Sequence, residues 1–260
     1  MILGGCSADK TADVDGIKTV KMDGFTLSWI RDTPEPKTNA LSLFPTAPAA
    51  LVDSLGLQDG VPSSMSTFLL QSKDCNILFD TGLGADFSML QSGLETLGCP
   101  AEDVDYIYLT HLHGDHVGGL VKDGKAAFPD SKLYIGRVEY EAWMAMEPSK
   151  IESLVSILEL YKDRTVLFEF GDELPGGVLA ISAVGHTPGH TAFRKGSMLI
   201  VGDIMHAAAL QMVDPSINAI YDMDQEQSAK TRAEMIDYAK ENKLLMCGMH
   251  MPDPAMIDFR

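Results

Sequence analysis

A chain of 260 residues with 45% hydrophobic content is long enough for one domain with a substantial core, and it carries 20 Lys and Arg against 37 Asp and Glu. The formal charge of −17 argues against a nucleic-acid partner, because binding a polyanion needs a basic footprint. No apolar run reaches the roughly 20 residues that span a bilayer, so no transmembrane segment is expected.

Near the start, Leu3-Gly4-Gly5-Cys6-Ser7 resembles the processing box of a bacterial lipoprotein, although the charged and hydrophobic parts of a signal peptide are missing. On that reading Cys6 carries a lipid anchor, the protein belongs to the cell envelope or periplasm, and residues 1–16 form a flexible tether to a single domain over 17–260. If the match is accidental, a cytoplasmic location is expected.

Residues 17–31 read as two strands around the turn Met22-Asp23-Gly24, with Phe25, Leu27 and Trp29 on one face. Residues 32–62 hold five prolines among apolar clusters that include Leu43 and Phe44, a pattern that fits either a lid or a packed crossover. A hairpin over 66–71 and 76–80 and a helix over 86–97, ended by Gly98, come next. The run 104–109 alternates as a strand, 132–135 is a further short strand, and helices over 137–146 and 149–161 are separated by Pro148; these two helices are candidates to cover one side of a pocket. Strands follow at 166–170, 178–184 and 198–201, then a helix over 225–241 with Asp224 able to cap it, then a last strand over 244–249. Cys75, Cys99 and Cys247 show no metal-binding spacing and are expected to be buried free thiols.

The stretch from Thr110 to Gly119 is the most specific feature, since His111, His113, Asp115 and His116 fall within six consecutive residues after a strand. A lone histidine is usually structural, but four ligand-type side chains in one turn reverse that expectation. Side chains two apart on an extended segment share a face, which aims His111 and His113 at one point. Gly114 lets the backbone turn, so Asp115 and His116 address a second point nearby. Nitrogen and carboxylate donors without thiolates favour zinc, with iron, manganese or cobalt as alternatives.

Read as His-x-His-x-Asp-His, this stretch resembles the signature of the metallo-β-lactamase-fold hydrolases. The resemblance extends to the strand and turn Ile77-Leu78-Phe79-Asp80-Thr81-Gly82, to Gly185-His186-Thr187-Pro188-Gly189-His190-Thr191, to Val201-Gly202-Asp203 and to Gly248-Met249-His250, all in family order. It implies an α/β fold, a four-layer αββα sandwich with metals at one edge of the sheets. It assigns one ion to His111, His113 and His190, the other to Asp115, His116 and His250, and makes Asp203 the bridge. His186 is then a supporting residue. The run from Asp203 through His206 to Gln211 is similar to the methyl parathion hydrolase-like and lactonase branch, and places His206 beside the metals or in the substrate pocket. Leu43, Phe44, Leu210, Met212 and Tyr221 are expected to line an apolar cleft, and the segment after His250 to complete its wall.

The resemblance thus implies a dinuclear zinc hydrolase in which a metal-bridging hydroxide opens a small-molecule lactone or cleaves a carboxyl ester, with Asp115 handling the proton. Phosphotriester hydrolysis is the alternative enzymatic reading, and a non-catalytic metal-binding scaffold is the reading from another class. β-Lactam hydrolysis is disfavoured because Asp203 stands where true β-lactamases have Cys or a non-bridging residue. A small molecule is the expected partner; a homodimer is left open.

Overall fold

The computed structural model describes residues 14–260, so Cys6 and the lipid-anchor reading lie outside the described residues. Residues 14–16, assigned above to the tether, are docked on the domain. The Ile17 N–H donates to the Val14 carbonyl at 2.9 Å, the Arg31 N–H donates to the Gly16 carbonyl at 2.8 Å, and the Arg31 guanidinium meets Asp15 at 2.9 Å.

Period-two alternation sorts the apolar residues into layers. Leu27 and Trp29 join one buried cluster while Ile30 joins another; Phe68 and Leu70 split from Leu69, and Ile77 and Phe79 from Leu78, in the same way. Strands apolar on both faces need cover on both sides. These strands belong to a seven-stranded sheet in the order Ile17–Met22, Phe25–Arg31, Ser66–Ser72, Asn76–Phe79, Tyr106–Tyr108, Lys132–Gly136, Thr165–Phe168. A six-stranded sheet runs Glu173–Leu174, Val178–Ser182, Thr191–Lys195, Met198–Gly202, Leu245–Gly248, Met256–Asp258.

The two sheets meet face to face. Phe79 and Tyr108 of the first pack against Phe193 of the second, with ring centroids 5.6 and 5.5 Å away. On the outer side of the first sheet, helices Leu90–Thr96 and Pro148–Glu159 bury Leu90, Leu94, Ile151, Leu154 and Leu158. On the outer side of the second, helix Gln225–Glu241 buries Met235, Ile236 and Ala239, and its cap Asp224 accepts the Gln227 N–H at 3.0 Å. This is the αββα sandwich implied by the resemblance. Cys75, Cys99 and Cys247 are buried free thiols. No helix among the described residues is long and apolar enough to cross a membrane.

Three local expectations change. The helix expected over 86–97 begins at Leu90, because the buried Asp32 carboxylate accepts the N–H groups of Leu83 and Leu90 at 2.9 and 3.1 Å and the Ser88 hydroxyl at 2.9 Å, holding the preceding residues in turns. Residues 32–62 form a packed crossover rather than a lid: Lys37–Asn39 pairs with Val61–Ser63, and Phe44, Val52 and Val61 pack with Ala207, Leu210 and Ile217 in a third cluster. Beyond His250, Met256–Asp258 extends the sheet antiparallel to Leu245–Gly248, so this part of the tail is sheet edge rather than cleft wall.

The ligand-rich turn is clamped onto the loop before it. The Thr81 N–H donates to the His116 carbonyl at 2.8 Å, and the Gly119 N–H donates to the Gly82 carbonyl at 3.2 Å. A Cβ on Gly119 would stand 1.9 Å from the Thr81 carbonyl oxygen, a contact only a backbone shift could relieve. Gly119→Ala is expected to destabilise the fold by about 1–3 kcal/mol. Thermal unfolding checks this, and an unchanged midpoint would show that the loop yields without cost.

Candidate metal centre

Strand Tyr106–Tyr108 runs parallel between Asn76–Phe79 and Lys132–Gly136, so the turn that follows it leaves the carboxyl end of the parallel strands, where ligand sites of open α/β sheets gather. His113 stands at the N-cap of the short helix Gly114–Val117, which reverses the chain and brings the His111 and His116 rings to 3.9 Å between centroids.

The donors converge in two groups. In the first, His111 Nε2 lies 2.9 Å from His113 Nδ1, which lies 3.0 Å from His186 Nε2. In the second, His250 Nε2 lies 3.1 Å from Asp115 Oδ2, and the ligand atoms of Asp115, His116 and His250 all fall within 4.8 Å of one another. Asp203 Oδ2 stands between the groups, 3.0 Å from His250, 3.2 Å from His116, 3.2 Å from His206, 3.5 Å from His186 and 3.7 Å from His111. Its other oxygen is buried with no hydrogen-bond partner among the described residues.

Ring nitrogens facing one another at such distances and an orphaned buried carboxylate oxygen are what a site completed by cations leaves behind. The residues therefore fit two divalent ions. His111, His113 and His186 would hold one, Asp115, His116 and His250 the other, with Asp203 shared. The protonation pattern agrees with such a role. Burial, reinforced by His186, drives His113 down to about 4; burial opposes charge on His250 too, but Asp203 and Asp115 push it up to about 10. A cluster pulled in opposite directions cannot place a proton on every ring, so metal and protons compete for it.

Two expectations from the sequence are corrected. The first is the ligand within Gly185–Thr191: His190 is not brought to the cluster. Its Nδ1 lies 2.9 Å from the Ala183 carbonyl and its Nε2 accepts the backbone N–H of Asp203 at 3.1 Å, so both nitrogens are engaged by the protein. His186 faces the centre instead, oriented through Nδ1 by Asp222 at 3.0 Å. The second is the cleft lining. Phe44 and Leu210 are buried in the third cluster with Leu43 packed on it, and Met212 packs against the main core. Their apolar surface is satisfied by neighbours, which removes it from the cleft. Tyr221 does line the cleft, as do His186 and His206.

Residues that sequence reasoning did not single out hold the donors in place. Asp80, in a left-handed backbone conformation (φ 57°), accepts the Thr110 N–H and hydroxyl at 2.7 Å each and lies 2.8 Å from His116 Nδ1. Asp222 is in turn paired with the fully buried Arg232 at 3.0 Å. Glu139 joins the two ligand loops, accepting the N–H groups of Leu112 and Gly189 at 3.0 and 2.8 Å. His250 Nδ1 lies 3.1 Å from the Ser64 carbonyl. The available signal for Asp80 was its place in the Phe79-Asp80-Thr81-Gly82 turn.

A cleft of about 420 Å³ opens over the cluster, walled by Lys37, Met65, Leu83 and Tyr221. Fold and site together define a cluster of His and Asp donors fitted to divalent metal ions at the edge of an αββα sandwich. Residues 60–250 match the family described as the Metallo-beta-lactamase superfamily, and the chain belongs to it. It is 32% identical over 115 residues to the N-acyl homoserine lactonase AiiA of Bacillus thuringiensis subsp. kurstaki, a match that spans 42% of this chain and 42% of that relative. Among solved structures, the hydrolase AbOPH of the beta lactamase superfamily is 26% identical with a TM-score of 0.82, covering 95% of this chain and 94% of that one. AidC, described as a dizinc quorum-quenching lactonase in complex with a product, is similar in fold, with 23% identity, a TM-score of 0.84, and coverage of 94% and 93%.

The exchange of His190 for His186 is open to direct measurement. His186→Ala is expected to lower the zinc content by about one ion per chain, because an open tetrahedral site of three protein donors loses one of them. Metal analysis after equilibration with zinc reads this out. Normal metal content in His186→Ala with loss in His190→Gln would restore the other assignment.

Proposed function

We propose that the chain is a metal-dependent hydrolase that opens a small-molecule lactone or cleaves a carboxyl ester at a centre of two divalent ions, zinc foremost. The observation that carries this reading is the convergence of two donor groups on Asp203 beside a cleft large enough for a small molecule. The lactonase relatives support the choice of bond.

When bound, the ions would lower the pKa of water from about 15.7 toward ~7 and polarise a carbonyl oxygen. The protein's own residues supply the rest. Asp115 keeps surface in the cleft, its side chain 24% exposed, and it is our candidate to take a proton from an attacking water and return it to the leaving oxygen. Met65, Leu83 and Tyr221 hold the carbon skeleton and exclude water from one side. His206, stacked on His250 with centroids 4.8 Å apart, fixes the ring that carries the second group.

Zinc-loaded protein is expected to hydrolyse at least one member of a panel of lactones and aryl esters and to lose that activity with chelator. Turnover of phosphotriesters alone would replace the lactone and ester reading, and no turnover of any substrate would return the chain to a metal-binding scaffold. His206→Ala is expected to weaken metal binding by about 10–100-fold and to recover activity as zinc is raised. A fully metallated variant with a collapsed kcat would place His206 on the substrate instead.

A further inference from the structure

We propose that the substrate carries a carboxylate set apart from the bond that is cleaved, and that Lys37 is the residue that selects it. The inference rests on the hydrolase reading above and names the substrate class for the same cleft.

Lys37 opens the strand Lys37–Asn39, which pairs antiparallel with Val61–Ser63. Alternation along a strand places Lys37 and Asn39 on one face and Thr38 on the other. That face is fastened to the centre. Asn39 is buried and its Nδ2 donates to the His206 carbonyl at 2.9 Å and to Ser63 Oγ at 3.1 Å; Ser63 Oγ donates in turn to the His250 carbonyl at 2.8 Å. Lys37 is therefore presented by a rigid element one step along the strand face from residues that grip two histidines of the cluster.

Its surroundings make the ammonium available. Lys37 is half-buried, lines the cleft that also holds Asp115 and Asp203, and has no hydrogen bond or ion pair among the described residues. Lysines elsewhere on this acidic chain do find carboxylates, as Lys150 does with Glu147 and Lys240 with Asp237. In the cleft the carboxylates of Asp115 and Asp203 are engaged by His250 and its neighbours. An ammonium held on a strand between apolar walls and left unpaired is a receptor for an anion supplied from outside.

Lys37 is the one Lys or Arg among the described cleft-lining residues, and a single ammonium suits a singly charged group. A phosphate would call for several donors or a helix N-terminus. Lys37 contributes an ammonium point charge rather than the planar bidentate fork of an arginine. The carbon skeleton between the carboxylate and the scissile carbonyl would lie along Met65, Leu83 and Tyr221.

The test uses zinc-loaded full-length protein and two aryl esters of equal chain length, mono-4-nitrophenyl adipate with a free distal carboxylate and 4-nitrophenyl hexanoate without one. Wild type is expected to favour the adipate in kcat/KM. In Lys37→Met that preference should fall by about 10–100-fold, the range of a charge-assisted hydrogen bond, mainly through KM. Lys37→Arg should retain most of it, and added salt should weaken it in wild type but not in Lys37→Met. Circular dichroism and metal content confirm that each variant is folded and loaded. Turnover of the hexanoate with no preference for the adipate, or a preference that survives in Lys37→Met, overturns the inference and leaves the hydrolase reading standing. No turnover of either ester, nor of uncharged lactones, overturns the hydrolase reading and this inference with it.

Discussion

The buried carboxylate of Asp203 is the constraint around which the molecule is arranged. Burying an anion costs several kcal/mol unless its surroundings compensate. Three other buried acids near the centre are satisfied from within: Asp222 by Arg232 and His186, Asp80 by Thr110 and His116, and Glu139 by two backbone N–H groups together with Thr187 and Trp143. Asp203 differs in kind. One oxygen faces five imidazoles and the other has no partner among the described residues, which is the arrangement that cations shared with the histidines would complete.

The same constraint explains why the two sheets are tied at one edge. Donors come from the loop after Tyr106–Tyr108 in one sheet and from loops after Val178–Ser182, Met198–Gly202 and Leu245–Gly248 in the other. A centre assembled across a sheet interface keeps its geometry only if the interface cannot slide. Glu139 supplies that lock, because it bonds Leu112 on one side and Thr187 and Gly189 on the other. Its burial raises its pKa, opposed by those three donors and by Trp143, and the close packing of Gly189 leaves no room for a side chain: a Cβ there would stand 2.1 Å from the Glu139 backbone nitrogen.

Much of this was legible in the sequence where the signal is local. Alternation in Leu27, Trp29 and Ile30 divides inner from outer layer, and the crowding of His111, His113, Asp115 and His116 announces the metal chemistry. What the sequence does not carry is orientation decided at a distance. Gly185–Thr191 contains two histidines, each after a glycine, and the one that turns inward is chosen by Asp222, 36 residues away from His186, and by the Ala183 carbonyl that captures His190. The cleft lining was misread for a related reason. Leu210 follows the Asp203 segment in sequence, but apolar side chains bury against whatever apolar surface is nearest in space, and Leu210 and Phe44 share one cluster away from the cleft. Lys37, in a proline-rich stretch with no periodicity to read, gave no sign at all.

The crossover that carries Lys37 also links specificity to the metal site in a way a mobile lid would not. A lid closes over substrate and adds a conformational step to turnover. Here the strand Lys37–Asn39 is already paired and its Asn39 amide is bonded to the carbonyl of His206, whose own N–H is held by Gln211 Oε1 at 2.8 Å. The cleft wall is thus preformed, and the ordering entropy of substrate capture is small. Rigidity has a second effect: a change that tilts His206 acts through Asn39 on the position of Lys37. Binding of the distal group and support of the His250 ring are mechanically one unit, so substitutions at residue 39 and residue 206 should combine non-additively in their effect on substrate choice.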